Sequence, residues 1–126
     1  MVYKAVVALK KYSGCDKGIK LRLEKELPAG AGLGGGSADA AAALRIANRL
    51  WNLNLTYDEL EKIGSSLGAD IPFLVRGGAR FAEGIGDVQS NVDSGVLDNI
   101  ESWTVLIMTP NCFVSTADAY SQMNPQ

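Results

Sequence analysis

The stretch PAGAGLGGGS, Pro28 to Ser37, decides how the rest of the chain is read. Five of the seven residues from Gly30 to Gly36 are glycine, with Ala31 and Leu33 filling the gaps. Glycine loses more backbone freedom on folding than any other residue, so such a concentration implies a use for bare backbone. Before it, Ile19 to Leu27 (IKLRLEKEL) alternates apolar and charged residues, with Ile19, Leu21 and Leu23 on one face. That is the pattern of a strand with one side buried. After it, Ala38 to Trp51 is rich in alanine, with apolar residues at 40, 43, 44, 47, 50 and 51, which predicts a helix. The first turn of a helix leaves N–H groups without partners, and the helix dipole adds positive charge there. Glycines in front of such a turn let a ligand come close and allow positive φ. Together they form an anion site, most often one for phosphate. Ser37 stands at the expected cap, where its hydroxyl suits capping, a phosphate oxygen or a bound metal.

Other uses of the glycines are weaker. A tight turn needs only one or two. A Walker A loop ends in Gly-Lys-Ser/Thr, whereas this one ends in Gly-Gly-Ser without a lysine. The dinucleotide spacing is met at Gly30, Gly32 and Gly35, but that reading requires a second strand and an acidic residue about 20 positions on. Trp51-Asn52-Leu53-Asn54-Leu55 instead leads straight into another helix start.

That start is Thr56-Tyr57-Asp58-Glu59, a capping box, with Leu55 and Leu60 placed as a hydrophobic staple. Leu60, Ile63 and Leu67 continue the helix and Gly68 stops it. Near the N-terminus, Val2, Ala5, Val6 and Leu9 define another helix face over residues 2–11. Ile71 to Val75 is short and apolar and is broken by Gly77-Gly78; Ala79 to Ala82 and Val105 to Met108 read as strands. Residues 86–102 read as a surface excursion, and Ser115 to Gln122 as a final helix.

Composition narrows the chemistry. A chain of 126 residues is one domain or part of one, and 47% hydrophobic with 21% charged is ordinary for a globular protein. A net charge of −2 argues against nucleic acid or an anionic membrane as partner. No apolar run approaches the roughly 20 residues of a membrane span, and no signal peptide is read, so the cytoplasm is the expected location. Cys15 and Cys112 fit no metal-ligand spacing. The absence of histidine removes imidazole acid–base chemistry and His-ligated zinc. Catalysis would rest on carboxylates, lysine, hydroxyls, backbone amides or an oxygen-held metal.

The glycine stretch resembles the phosphate-binding motif of the GHMP small-molecule kinase superfamily, which includes galactokinase, homoserine kinase, mevalonate kinase and phosphomevalonate kinase. LEKELPAGAGLGGGSADAAAALRIANRLWNL followed by LGADIPFLVRGGARFAEGIGD is similar to one branch, the 4-diphosphocytidyl-2-C-methyl-D-erythritol kinases of non-mevalonate isoprenoid biosynthesis. The likeness runs from about Val2 to Tyr120. It implies an α+β fold: a sheet with helices packed on one face, similar to the second domain of a small-subunit ribosomal protein. It also implies phosphorylation of the 2-hydroxyl of a cytidine diphosphate-linked methylerythritol, with ATP and Mg2+. By the same resemblance, Pro28, Ala29, Gly30, Ala31, Gly32, Leu33, Gly34, Gly35, Gly36, Ser37 and Ala38 hold the ATP phosphates. The family often has Ser-Ser-Asp where this chain has Ser37-Ala38-Asp39, so a second hydroxyl is missing.

Asp70, in Gly68-Ala69-Asp70-Ile71-Pro72-Phe73, matches the family's catalytic aspartate. A carboxylate that orients an alcohol or takes its proton suits phosphoryl transfer. The bland role for Asp70 is a helix cap before Ile-Pro, and both roles are compatible. Ser115 to Tyr120 resembles the segment that stacks an aromatic ring on cytosine, against ordinary packing of Tyr120. Trp51 and Phe73 read as packing, and Asp39 as a charge in the first helical turn with a metal role as the alternative. No metal ligand is assigned beyond Ser37 as a candidate.

Family members are longer. They begin with a strand region carrying a lysine beside the aspartate and an Asp-Gly-Tyr-His-like segment, and they end in a second domain with another glycine motif. Lys4, Lys10 and Lys11 do not match that lysine. Residues 1–126 are therefore expected to be a partial N-terminal, ATP-binding domain lacking both ends and the C-terminal kinase domain, a poor kinase alone and prone to self-association. Two other readings stay open: another alcohol kinase of homoserine or mevalonate type, and a non-catalytic domain that binds anions or self-assembles.

Overall fold

A computed structural model describes residues 1–27, 31–84, 86, 88–92, 103–108, 115, 121 and 122. Helix α1, Val2–Ser13, buries Ala5, Val6 and Leu9 along the stripe expected from the sequence and stops at Gly14, whose φ of 68° turns the chain out of the helix. Lys10 and Lys11 sit in its last turn, where the dipole favours cations.

Helix α2, Gly35–Trp51, is the centre of the molecule. It buries Ala40, Ala41, Ala43, Leu44, Ala47 and Trp51, whereas Leu50, expected on the apolar side, is exposed. The run of alanines gives α2 a thin apolar face, so α1 and α4 both pack closely against it. Trp51 closes the end of this core. Its ring is 3% exposed and its indole N–H donates to the Gly18 carbonyl at 3.2 Å.

Helix α3, Tyr57–Ser65, starts as the capping box requires. The Glu59 N–H donates to the Thr56 hydroxyl at 3.3 Å, and the Glu59 carboxylate accepts from the Thr56 N–H at 2.8 Å. Leu60 is buried and Leu55 is half-buried against the core, as a staple would place them. The side chain of Asn48 holds the loop before the cap by exchanging hydrogen bonds with the backbone of Leu55. The helix ends at Ser65, and the N–H groups of Leu67 and Gly68 fold back onto the Gly64 carbonyl. This tight reversal leads into α4, Asp70–Arg76, which buries Ile71, Pro72 and Val75. Ile71 to Val75 is therefore helix, and its hydrophobic residues complete the core with α2 and α3.

The hairpin follows. Strand β1, Arg80–Glu83, pairs antiparallel with β2, Val88–Asn91, in the register Arg80↔Asn91, Phe81↔Ser90, Ala82↔Gln89 and Glu83↔Val88. Gly84 and Gly86 turn the chain with φ of 67° and 92°. The class is α+β: four helices and, among the described residues, a two-stranded antiparallel sheet.

Three expectations at the level of elements are corrected. Residues 19–27 form no ladder, and Leu21, Leu23 and Leu27 are exposed. The alternation is real, but a strand exists only beside a partner, and none lies there among the described residues. Val105 to Met108 is likewise unpaired and exposed. The excursion over 86–102 contains β2; residues 93–102 lie outside the described residues, as does most of the expected final helix from Ser115 to Gln122.

Candidate functional site

The helix begins three residues earlier than the sequence suggests, and this changes the roles around the glycines. Gly34, with φ of 65°, is the N-cap of α2 and no side chain caps the turn. Ser37 is therefore inside the first turn and does not cap it. The first intrahelical bond runs from the Ala38 N–H to the Gly34 carbonyl at 2.9 Å. The N–H groups of Gly35, Gly36 and Ser37 precede that bond, so they face outward with the positive end of the dipole behind them. Positive φ is needed at Gly32 and Gly34, not at Gly35, which is helical. A Cβ at Gly32 or Gly34 would meet nothing within 4 Å, so open space lies over both. Pro28, Ala29 and Gly30 lie outside the described residues.

Asp39 is corrected too. It is not in the first turn of α2, and its carboxylate pairs with Lys25 at 2.6 Å. This contact holds the segment before the glycines along the start of the helix and brings the Lys25 ammonium within 3.5 Å of where a Gly35 Cβ would stand. Lys25 was missed because strand-like alternation places it as one solvated charge among several.

One cleft, of about 420 Å³, unites residues far apart in the chain. Gly32, Leu33 and Gly34 contribute from the glycine loop, Asp70, Phe73 and Leu74 from α4, and Arg80, Ala82, Gly86 and Gln89 from the hairpin. The helical turn at Gly68 and the packing of Ile71 and Val75 set Asp70 at the first position of α4. Ala69, not Asp70, is the N-cap, and no side-chain cap bond forms there, so Asp70 does not act as the cap. Its exposed carboxylate is left to the cleft. Phe73, expected to be packing alone, is half-buried and lines the same cleft. Trp51 is packing, as expected.

Ser37 does not line this cleft. Tyr120, expected to stack on cytosine, and Cys112 lie outside the described residues; Cys15 is a free thiol. Among the described residues no three or more acidic or cysteine side chains gather as a metal nest. Arg80 and Gln89 were missed because nothing in the sequence aligns a two-residue polar pattern with a glycine loop some fifty positions away. Only the hairpin register brings them to one face.

Arg76 braces the site from behind. It reaches from α4 to Asp58 and Glu61 of α3, which hold its guanidinium well above the ordinary arginine value through hydrogen bonds, Glu61 first. No helix among the described residues is long and apolar enough to cross a membrane.

The chain is similar to known proteins over most of its length. The family described as GHMP kinases N terminal domain matches residues 1–78, which contain both the glycine loop and Asp70. The 4-diphosphocytidyl-2-C-methyl-D-erythritol kinase of Pseudomonas savastanoi pv. phaseolicola is 46% identical over 121 residues, covering 96% of this chain and 40% of that protein. The enzyme of the same name from Thermodesulfovibrio yellowstonii is 44% identical over 124 residues, covering 98% of this chain and 42% of its own length. A crystal structure of 4-(cytidine 5'-diphospho)-2C-methyl-D-erythritol kinase superposes with a TM-score of 0.64 at 35% identity, over 72% of this chain and 33% of that one. The chain thus spans about two fifths of the length of the relatives it matches. With an uncapped glycine-led helix start, an aspartate facing the same cleft and a family match across both, the chain belongs to the GHMP kinases through their N-terminal domain.

Proposed function

We propose that this chain is the catalytic-cleft portion of an ATP-dependent alcohol kinase acting on the 2-hydroxyl of 4-diphosphocytidyl-2-C-methyl-D-erythritol. The observation that carries it is the single cleft in which Gly32 and Gly34 stand beside Asp70. The acceptor is taken from the names of the relatives, which favour it over homoserine or mevalonate. A cytoplasmic setting goes with this reading, as the place where ATP is available.

The residues fit the donor's phosphates. Open space over Gly32 and Gly34 and uncapped N–H groups at Gly35, Gly36 and Ser37 offer close, positively polarised backbone to anionic oxygens. ATP, when bound, supplies the phosphoryl group, and Mg2+ spreads its charge. The Ser37 hydroxyl is this chain's candidate donor to that ion, which commonly keeps most of its ligands as phosphate oxygens and water. Asp70 orients the acceptor hydroxyl and takes its proton as the oxygen–phosphorus bond forms and the bond to the leaving diphosphate breaks. Phe73 and Leu74 give the cleft an apolar wall that excludes water from the attacking oxygen.

The test uses the chain joined to the remaining length found in its relatives. Asp70→Asn should lower kcat by about 100-fold or more while leaving affinity for a non-hydrolysable ATP analogue within about twofold. Equal loss of both would show Asp70 to be structural. A panel of homoserine, mevalonate and the cytidine diphosphate-linked alcohol identifies the acceptor.

A further inference from the structure

In β1 and β2 the side chains of Arg80, Ala82, Gln89 and Asn91 share one face, because directly paired residues and alternate residues point the same way. Three of these, Arg80, Ala82 and Gln89, line the cleft that holds Asp70 and the glycine loop. Phe81 and Val88, on the opposite face, are exposed. The hairpin thus sets Arg80 and Gln89 toward the cleft, while Phe81 and Val88 stay exposed on the other face beside Glu83 and Ser90.

Both polar groups that the hairpin brings to the cleft lack what they would ordinarily need. The Gln89 Oε1 is buried without a hydrogen-bond partner, although its Nε2 donates to the Gly86 carbonyl at 3.4 Å. A buried acceptor left unsatisfied is costly, so its place beside a cleft points to a donor that arrives with a ligand. Arg80 makes no ion pair among the described residues. Asp58 and Glu61 border a neighbouring hollow with Arg80, but Arg76 engages both.

We propose that Arg80 and Gln89 form the recognition wall for the acceptor substrate: Arg80 pairs with its diphosphate oxygens and Gln89 Oε1 accepts from one of its hydroxyl or amino groups. This rests on the reading of the cleft as a phosphoryl-transfer site. The donor's phosphates have the backbone N–H groups at the start of α2. An acceptor that brings a second set of negative charges into the same cleft would be repelled unless a cation offset them, and among the described residues Arg80 is a cation on the cleft wall without an ion pair. A neutral acceptor would leave the half-buried Arg80 without a partner among the described residues. The glutamine adds selection, since an acceptor lacking the matching donor leaves Oε1 unsatisfied.

The experiment titrates the chain, joined to the remaining length found in its relatives, with two probes, a non-hydrolysable ATP analogue with Mg2+ and, separately, 4-diphosphocytidyl-2-C-methyl-D-erythritol, following heat of binding. Arg80→Gln and Gln89→Leu should each weaken the diphosphate-linked probe about tenfold, the loss expected for one charge-assisted or buried hydrogen bond, and change the ATP analogue less than twofold. Arg80→Lys should recover most of the loss, which a merely structural defect would not allow. Unfolding midpoints of each variant separate lost binding from lost fold. Variants that bind both probes like the wild type, or that lose only the ATP analogue, overturn the wall while leaving the kinase reading intact. A folded wild-type chain that binds neither probe overturns the kinase reading and this proposal with it.

Discussion

Single residues in this chain are decided by backbone conformation more than by their type. Gly34 and Gly35 are neighbours in the glycine run, yet Gly34 has φ of 65° and Gly35 is helical. Gly34→Ala is expected to lower stability by about 1–2 kcal/mol, because an L side chain is strained in the left-handed region. Gly35→Ala should be neutral or mildly stabilising, as its Cβ would make ordinary contacts of 3.5–3.7 Å with Lys25 and Leu27. Urea unfolding of the two variants side by side checks this, and equal effects would refute the helix start at Gly35. Thr56 gives a second prediction. Loss of its cap in Thr56→Ala should lower stability by about 1 kcal/mol near neutral pH. Glu59 is held below the ordinary glutamate value because it accepts from the Thr56 N–H and hydroxyl. A carboxyl depressed on folding contributes stability above its unfolded value and loses it as pH falls through the folded one. The gap between wild type and Thr56→Ala should therefore narrow as the urea midpoints are followed below about pH 4.3. A constant gap would mean that the carboxylate does not take part in the cap.

At the scale of elements, periodicity made most helix contacts legible, Leu50 excepted. Ala5, Val6 and Leu9 of α1, and Leu44 and Ala47 of α2, are buried as their spacing requires. The junction of α3 with α4 was not. Gly64 is a buried helical glycine, a residue that ordinarily weakens a helix by about 1 kcal/mol. The reason lies in packing: a Cβ there would stand 2.8 Å from Cγ2 of Ile71, which is fully buried. That close approach sets α4, and with it Asp70, against α3. Gly64→Ala should destabilise the fold by about 1 kcal/mol net, overpacking outweighing the gain in helix propensity. Ile71→Leu, which removes the β-branch, should restore much of the loss in the double variant. If Gly64→Ala alone raises the thermal midpoint, α3 and α4 are less tightly seated than described.

For the whole molecule, the described surface carries apolar residues that a closed sheet would cover. Leu21, Leu23 and Leu27 are exposed on one segment, and Trp103, Val105, Leu106, Ile107 and Met108 on another. Both segments carry strand sequences without a partner strand among the described residues. Self-association through them is the expected outcome, since unpaired apolar edges recruit other chains. Light scattering at tens of micromolar should give a mass above that of the monomer; a monomeric mass would argue that these segments are shielded in solution. The sequence by itself determined α1, α2 and α3 and the cap at Thr56, and it raised the glycine loop as an expected anion site and Asp70 as a candidate. All of these depend on interactions within a few residues, where periodicity and side-chain chemistry act alone. Only the tertiary structure decided that residues 19–27 lack a ladder, that Asp39 answers Lys25, and that Phe73, Arg80 and Gln89 join Asp70 in one cleft. Those facts depend on which distant segments pack together, and strand pairing and cleft walls carry no local signal from which that choice can be read.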